Sequence, residues 1–255
     1  MKGISRSSML LRNWISVLID PRRMFSLAQL PRYFAHWARY RQIAGHGSLR
    51  FRDSYPCLSD WTEHTPFDAH YFFQSCWTAR KLQARLPDRH VDIGSSVLMV
   101  GVISAAVPTL FIDYRPVRAK VARLTSVAGD IRCLPLSDEC VGSLSCMHVL
   151  EHIGLGRYGE TIDPNGSVVA ARELLRVLSP GGRLLISVPV GRERVEFNAH
   201  RVFAPETVIK MFGGLGLMDF ALVSDNGDYF PHTTINDAVI CEYGCGMFEF
   251  QKPVI

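Results

Sequence analysis

The stretch that most limits the fold is His90-Val91-Asp92-Ile93-Gly94-Ser95-Ser96 together with its continuation to Asp113. His90–Ile93 is a short apolar run suited to a buried strand, Gly94 supplies a tight turn, Val97–Ala105 is helix-forming, and Thr109–Ile112 is a second strand closed by Asp113. Strand, turn, helix and strand in that order open an α/β sheet. In such sheets ligands bind outside the carboxyl ends of the strands, where loops meet helix N-termini. Gly94 lets backbone approach a ligand closely, and Ser95 and Ser96 stand where a helix is capped. Asp113 lies about twenty residues on, where an acidic side chain grips a ribose diol. A plain βαβ unit with no ligand has the same outline; the motifs further along favour a binding site.

The spacing also selects among ligands. The dinucleotide fingerprint G-x-G-x-x-G is missing, since only Gly94 and the distant Gly101 are present, so a pyrophosphate cradle is disfavoured. S-adenosylmethionine (SAM) carries no phosphate and needs fewer glycines. Its ammonium and sulfonium suit an acidic first turn, here Asp92, by Coulomb attraction. Beyond Asp113, Gly129-Asp130-Ile131 closes a third strand. Asp130 is placed there to accept from an adenine amino group, or simply to cap a turn.

At 255 residues with 47% hydrophobic content, the chain holds one full domain and an added segment. Its net charge of +4 is unevenly spread: residues 1–55 carry ten Lys or Arg against two Asp, and the remainder carries 18 basic and 22 acidic residues. No apolar run is long enough to span a bilayer, and Arg12 interrupts the only candidate for a signal peptide. The expected location is cytoplasmic, with peripheral membrane contact left open. Residues 8–44 read as one or two amphipathic helices broken at Asp20-Pro21, with arginines between large apolar groups. They suit a membrane surface, a cover over the substrate pocket or a protein partner, or they pack on their own domain. The interleaving disfavours nucleic acid. Seven cysteines form no C-x-x-C pair; Cys241 and Cys245 are spaced C-x3-C with no second ligand pair at zinc spacing, so reduced thiols and no metal are expected.

Loop-like residues 45–66 lead into a helix over Phe67–Leu86. A fourth strand over Gly142–Val149 runs into Leu150-Glu151-His152-Ile153-Gly154-Leu155-Gly156-Arg157-Tyr158-Gly159, the stretch densest in chemistry. Three glycines there demand special backbone geometry. His148 and His152 stand at i, i+4, but the zinc-protease order H-E-x-x-H is not met and no third ligand is evident. A helix over Ser167–Leu178, a turn at Pro180-Gly181-Gly182 and a buried strand over Arg183–Val188 follow. Phe197-Asn198-Ala199-His200-Arg201 is a polar loop, and Leu217–Val223 and Ala238–Tyr243 read as the last two strands.

Over residues 88–225 the sequence resembles class I SAM-dependent methyltransferases, through Val91-Asp92-Ile93-Gly94-Ser95, Phe111-Ile112-Asp113, Gly129-Asp130, Leu134-Pro135-Leu136, His148-Val149-Leu150-Glu151-His152 and Leu174–Gly182. The last two strings are typical of the small-molecule branch of these enzymes. More narrowly, His152–Gly159 and Phe197–Arg201 resemble a bacterial and nematode family of unknown function, some of whose members sit among glycan-assembly enzymes. The resemblance implies a Rossmann-like seven-stranded sheet in the order 3-2-1-4-5-7-6 over residues 67–255, with residues 1–66 as an N-terminal helical extension. It departs at Ser96, where the usual pattern has a further glycine.

Carried onto this chain, the resemblance implies that Asp92, Gly94 and Ser95 line the methionine end of SAM, Asp113 holds the ribose, and Asp130 with Ile131 meets the adenine. His148, His152 and His200 are candidate bases, since neutral histidine suits that task near pH 7. Arg157, Tyr158, Asn198 and Arg201 are candidate acceptor contacts, the arginines for a phosphate or carboxylate. Three readings result: a methyltransferase acting on a small-molecule or glycan-type acceptor, a non-catalytic protein of that fold docking on glycan-assembly machinery or a membrane surface through its basic arm, or a nicotinamide or nucleotide-sugar enzyme, which the missing glycines disfavour.

Overall fold

A computed structural model of the chain describes residues 25–45 and 49–254; the expected helix break at Asp20-Pro21 and the arm before residue 25 lie outside them. The described residues fall into two compact units, one within 1–67 and one within 68–255. In the first, a 3-10 turn (Phe25–Gln29) enters α1 (Leu30–Ala44), which has proline in its first turn. None of the residues of α1 is buried, Tyr40 and Ile43 are exposed, and the Arg32 guanidinium lies 3.7 Å over the Trp61 ring.

The second unit begins at α2 (Ala69–Arg85). Asp68 caps it by accepting from Tyr71 N, and Trp77 and Leu82 carry its buried face. Ten strands follow: β1 (His90–Ile93), β2 (Thr109–Asp113), β3 (Leu124–Ala128), β4 (Val141–Met147), β5 (Leu178–Val190), β6 (Arg194–Glu196), β7 (His200–Val202), β8 (Gly216–Val223), β9 (Tyr229–Phe230) and β10 (Gly244–Gln251). The helices among them are α3 (Val97–Ala106), α4 (Gly166–Val177), α5 (Pro205–Met211) and α6 (Ile235–Val239). The main sheet runs β3-β2-β1-β4-β5-β10-β8-β9. Its first five strands are parallel, and β10 inserts antiparallel between β5 and β8. This is the expected 3-2-1-4-5-7-6 order with a two-residue strand added at the edge; β6 and β7 form a separate hairpin. The strands β1, β4 and β5 lie between two apolar layers, one built around α4 and α5 and the other around α2 and α3.

Two elements differ from the sequence expectation. Ala238–Tyr243 is not a strand: Thr234 and Asp237 form a reciprocal capping box that starts α6, and the strand lies further on, at Gly244–Gln251. Two glycines and Glu249 disguise that strand in the sequence. Glu249 is buried, yet it is paired with Arg183 and with Lys81, the latter at 2.8 Å. The other difference is that β5 starts at Leu178 and runs through Pro180-Gly181-Gly182, where its pairing with β4 shifts register.

Beneath the ligand end, a polar seam crosses from β1 to β4. The Ser143 hydroxyl and His90 Nδ1 are 2.8 Å apart, His90 Nε2 and Ser145 Oγ 2.8 Å, and Ser145 donates to Asp92 Oδ2. Asp92 Oδ1 accepts from Ser95 N at 3.1 Å. His90 and Asp92 are 0% and 1% exposed, and burial favours their neutral forms. It lowers the His90 pKa to about 4, and it raises Asp92 from 3.8 to about 6 against the hydrogen bonds of Ser145 and Ser95.

A second buried device closes the loop after β4. Arg201 on β7 donates from Nη1 to Ile153 O at 2.7 Å and to Ser167 Oγ at 3.1 Å, and from Nη2 to Pro164 O at 3.2 Å. Gly154 inside this loop has φ +83°, and a Cβ there would stand 2.0 Å from Asp163 O.

In the unfolded chain Asp92 ionises near its ordinary 3.8, in the fold near 6. The buried carboxylate therefore costs stability above pH 6 and nothing below about 4. Relative to wild type, Asp92→Asn should gain on the order of 2–3 kcal/mol between pH 4 and pH 7.5, read from denaturant melts at both values; a difference that does not change with pH would contradict the buried ionisation. Arg201→Ala strands two buried carbonyls and a hydroxyl, and should cost roughly 3 kcal/mol of folding free energy. An unshifted denaturation midpoint would mean that the loop stands without the guanidinium.

Candidate active site

The carboxyl ends of β1, β2, β3 and β4 open onto one cleft, the usual place for a ligand in an open α/β sheet. Its walls include Gly94, Asp113, Asp130, Ile131, His148, His152 and Tyr158. The parallel register sets this out: Gly94 N donates to Ile112 O, and Gly129 N to Asp113 O, so each strand hands its next residue to the same rim. Gly94 turns the chain at φ +67°, and a Cβ there would press on Val149 at 3.2 Å and approach Asp113 Oδ2 at 3.7 Å. The carboxylate of Asp113 has one oxygen accepting from Arg115 N at 2.6 Å, which fixes its direction and leaves the other for a ligand.

Two expected cofactor contacts do not reach the cleft. Asp92 is turned into the polar seam, and the Ser95 hydroxyl accepts from Met147 N at 2.9 Å, stitching the first turn to β4. Asp92 and Asp113 therefore do not share the cleft. Ser96 occupies the N-cap of α3 without a side-chain cap bond. Asp130 lines the cleft, but its carboxylate is held by Arg132, with Nη2 to Oδ2 at 2.7 Å and Arg132 N to Oδ1 at 2.9 Å. That hydrogen-bonded pair depresses its pKa, and an adenine contact by the carboxylate would compete with it.

At the β4 end of the cleft the histidines gather. His148 takes a left-handed conformation, φ 54°, which places its ring against those of His70 and Tyr71, at centroid distances of 5.6 and 5.5 Å. Tyr243 stacks on His70 at 5.3 Å and meets His200 at 5.1 Å, and His200 lies 6.5 Å from His152. The three expected histidines thus join one group, although His200 pairs with Glu196 at 3.0 Å and is not part of the cleft wall. His152 Nδ1 faces Ala199 O at 2.7 Å, which sets the Nδ1–H tautomer. Burial, opposed by Glu151, lowers its pKa, so the ring is neutral at pH 7.

The expected acceptor contacts divide. Tyr158 lines the cleft with the Arg115 guanidinium 4.4 Å over its ring. Arg157 is exposed and donates to Ala199 O at 2.9 Å. Asn198 is exposed on the β6–β7 hairpin, away from the cleft wall. Arg201 is 8% exposed and committed to backbone carbonyls, so its role is to hold the loop. Sequence reasoning gave no role to Glu151 or Tyr243, and expected Cys245, considered with Cys241, to be a reduced thiol without metal. The signal for Glu151 was present, a carboxylate between two histidines; Tyr243 lies just before β10 in a stretch read as a strand, and had none.

Residues 139–228 match a family described as Caenorhabditis protein of unknown function, DUF268. No curated protein matches the sequence. Among solved structures, the N-methyltransferase NodS from Bradyrhizobium japonicum WM9 in complex with S-adenosyl-L-homocysteine is 17% identical, with 75% of this chain and 90% of that one covered and a TM-score of 0.52. NodS without that ligand in its description is 16% identical, with 73% and 98% covered and a TM-score of 0.51. The [4+2]-cyclase SpnF is 20% identical, with 71% and 82% covered and a TM-score of 0.50. At these identities what is shared is the fold: the chain has the Rossmann-like architecture of class I SAM-dependent methyltransferases.

Proposed function

We propose that the protein is a SAM-dependent methyltransferase acting on a small-molecule or glycan-type acceptor, with the chemistry in residues 67–255 and residues 1–66 as an attached arm. The observation that carries this reading is the cleft itself, which joins a glycine turn and a directed carboxylate (Gly94, Asp113) to a group of buried imidazoles at its other end (His148, His152). Neighbours of the same fold include an N-methyltransferase described with S-adenosyl-L-homocysteine and a [4+2]-cyclase. The fold alone therefore does not fix the reaction.

The residues fit the cofactor in part. Asp113 would take the ribose hydroxyls with its free oxygen, Gly94 would let backbone lie against the methionine end, and Ile131 would flank the adenine. When bound, SAM supplies a methyl group on an activated sulfonium. The chain's own work is then to align the acceptor and exclude water. His152, neutral and held in one tautomer through Ala199, is the residue best prepared to take a proton from an acceptor hydroxyl. Tyr158, stacked under Arg115, would form the face on which the acceptor rests.

A second reading is kept by one observation: α1 buries none of its residues and carries Arg32, Arg39 and Arg41 beside exposed Tyr40 and Ile43. That composition suits docking on a membrane surface or a protein, with the cleft serving no turnover. No described helix is long and apolar enough to cross a membrane.

Calorimetry with SAM, S-adenosylhomocysteine and NAD separates the readings. Binding of the first two and not of NAD is expected; heat from none of them, with the protein folded, would remove the cofactor and leave the docking reading. Asp113→Ala should weaken SAM binding by about 1–3 kcal/mol, since it strands the ribose hydroxyls, and equal affinity would contradict the ribose role.

A further inference from the structure

Beside the cleft, three side chains from distant parts of the chain converge: His70 from the first turn of α2, His148 after β4, and Cys245 near the start of β10. Their ligand atoms, two imidazole nitrogens and a thiol sulfur, all lie within 4.8 Å of one another. Donor atoms around a tetrahedral zinc stand roughly 3.3–3.7 Å apart, given bonds of about 2.0–2.3 Å, so small side-chain rotations would close the set. We propose that His70, His148 and Cys245 form a binding site for a borderline-soft divalent cation, zinc, with three protein ligands and a fourth position open.

The surroundings support the assignment. The donor set, nitrogen and thiolate with no bound carboxylate, is the chemistry that zinc selects over magnesium or calcium. Glu151 Oε1 stands 3.0 Å from His148 Nδ1, the carboxylate-behind-imidazole arrangement that orients metal-binding histidines, and it leaves the other ring nitrogen for the cation. Glu151 is 2% exposed and its Oε2 has no hydrogen-bond partner, an anionic group placed where a nearby cation would compensate it. Cys245 is fully buried, which suits a ligand held from oxidation better than an exposed nucleophile.

The site stands whether or not methyl transfer occurs, because none of its ligands is a cofactor contact. His148 belongs both to the cation set and to the cleft wall. On the methyltransferase reading, the open position would face an oxygen or sulfur of the acceptor.

The test uses the full chain without a polyhistidine tag, stripped with a chelator and titrated with Zn2+ against a chromophoric chelator, and with Co2+ as a spectroscopic probe. Wild type should take up one equivalent of Zn2+, and the Co2+ form should show a thiolate-to-metal charge-transfer band. His70→Ala, at a half-buried helix position, should weaken Zn2+ by a hundredfold or more with the circular dichroism spectrum unchanged. Cys245→Ser should abolish the charge-transfer band. Glu151→Gln should weaken binding by about 10–100-fold. Zn2+ binding that is the same in wild type and His70→Ala, or a Co2+ spectrum without the thiolate band, would overturn the site. Neither result bears on SAM binding, so failure here is distinct from failure of the methyltransferase reading.

Discussion

The ligand end of this protein depends on the burial of β1, β4 and β5 along both faces. Parallel strands covered on each side by apolar layers leave only their ends for polar chemistry. Here the ends deliver Gly94, Asp113, Gly129 and His148 to one rim, because parallel pairing puts each strand's exit beside the next. The loops could take other compositions and the cleft would still open there.

Burial of this completeness makes the polar groups inside it costly, and the charged ones near the sheet's axis are given partners. Asp92 and His90, whose neutral forms burial favours, are hydrogen-bonded by a chain of serine hydroxyls that spans two strands. Arg201 replaces water for carbonyls of the loop after β4. Glu249, in the middle of a hydrophobic strand, is matched by Arg183 and Lys81. The same accounting directs attention to the group at the cleft's far end, where a thiol, two imidazoles and a half-satisfied carboxylate crowd together. At that group the Glu151 Oε2 atom is buried with no hydrogen-bond partner.

The strand-turn-helix-strand of His90–Asp113 was legible because its signals are local: an apolar run, a glycine that must turn, and a closing aspartate. Asp113 and Tyr158 line the cleft. Asp92 does not, although it sits in the same motif. Side-chain direction within a four-residue strand is decided by which neighbour offers a partner, and Ser145, 53 residues away, offers one. Arg201 failed for a related reason. An arginine in a polar loop reads as a ligand for anions, and only the folded loop reveals the carbonyls that consume its donors.

The sequence by itself determined the opening α/β unit, through periodicity, turn chemistry and strand burial, and its resemblance to class I SAM-dependent methyltransferases implied the sheet order. The tertiary structure decided which side chains share the rim of the cleft. Tyr243 lies between α6, which a capping box starts, and the strand β10, Cys245 lies near the start of that strand, and His70 lies in the first turn of the helix that precedes the first strand. Their meeting with His148 has no trace in spacing along the chain, because contact between residues about a hundred positions apart is set by packing, which a linear pattern does not record.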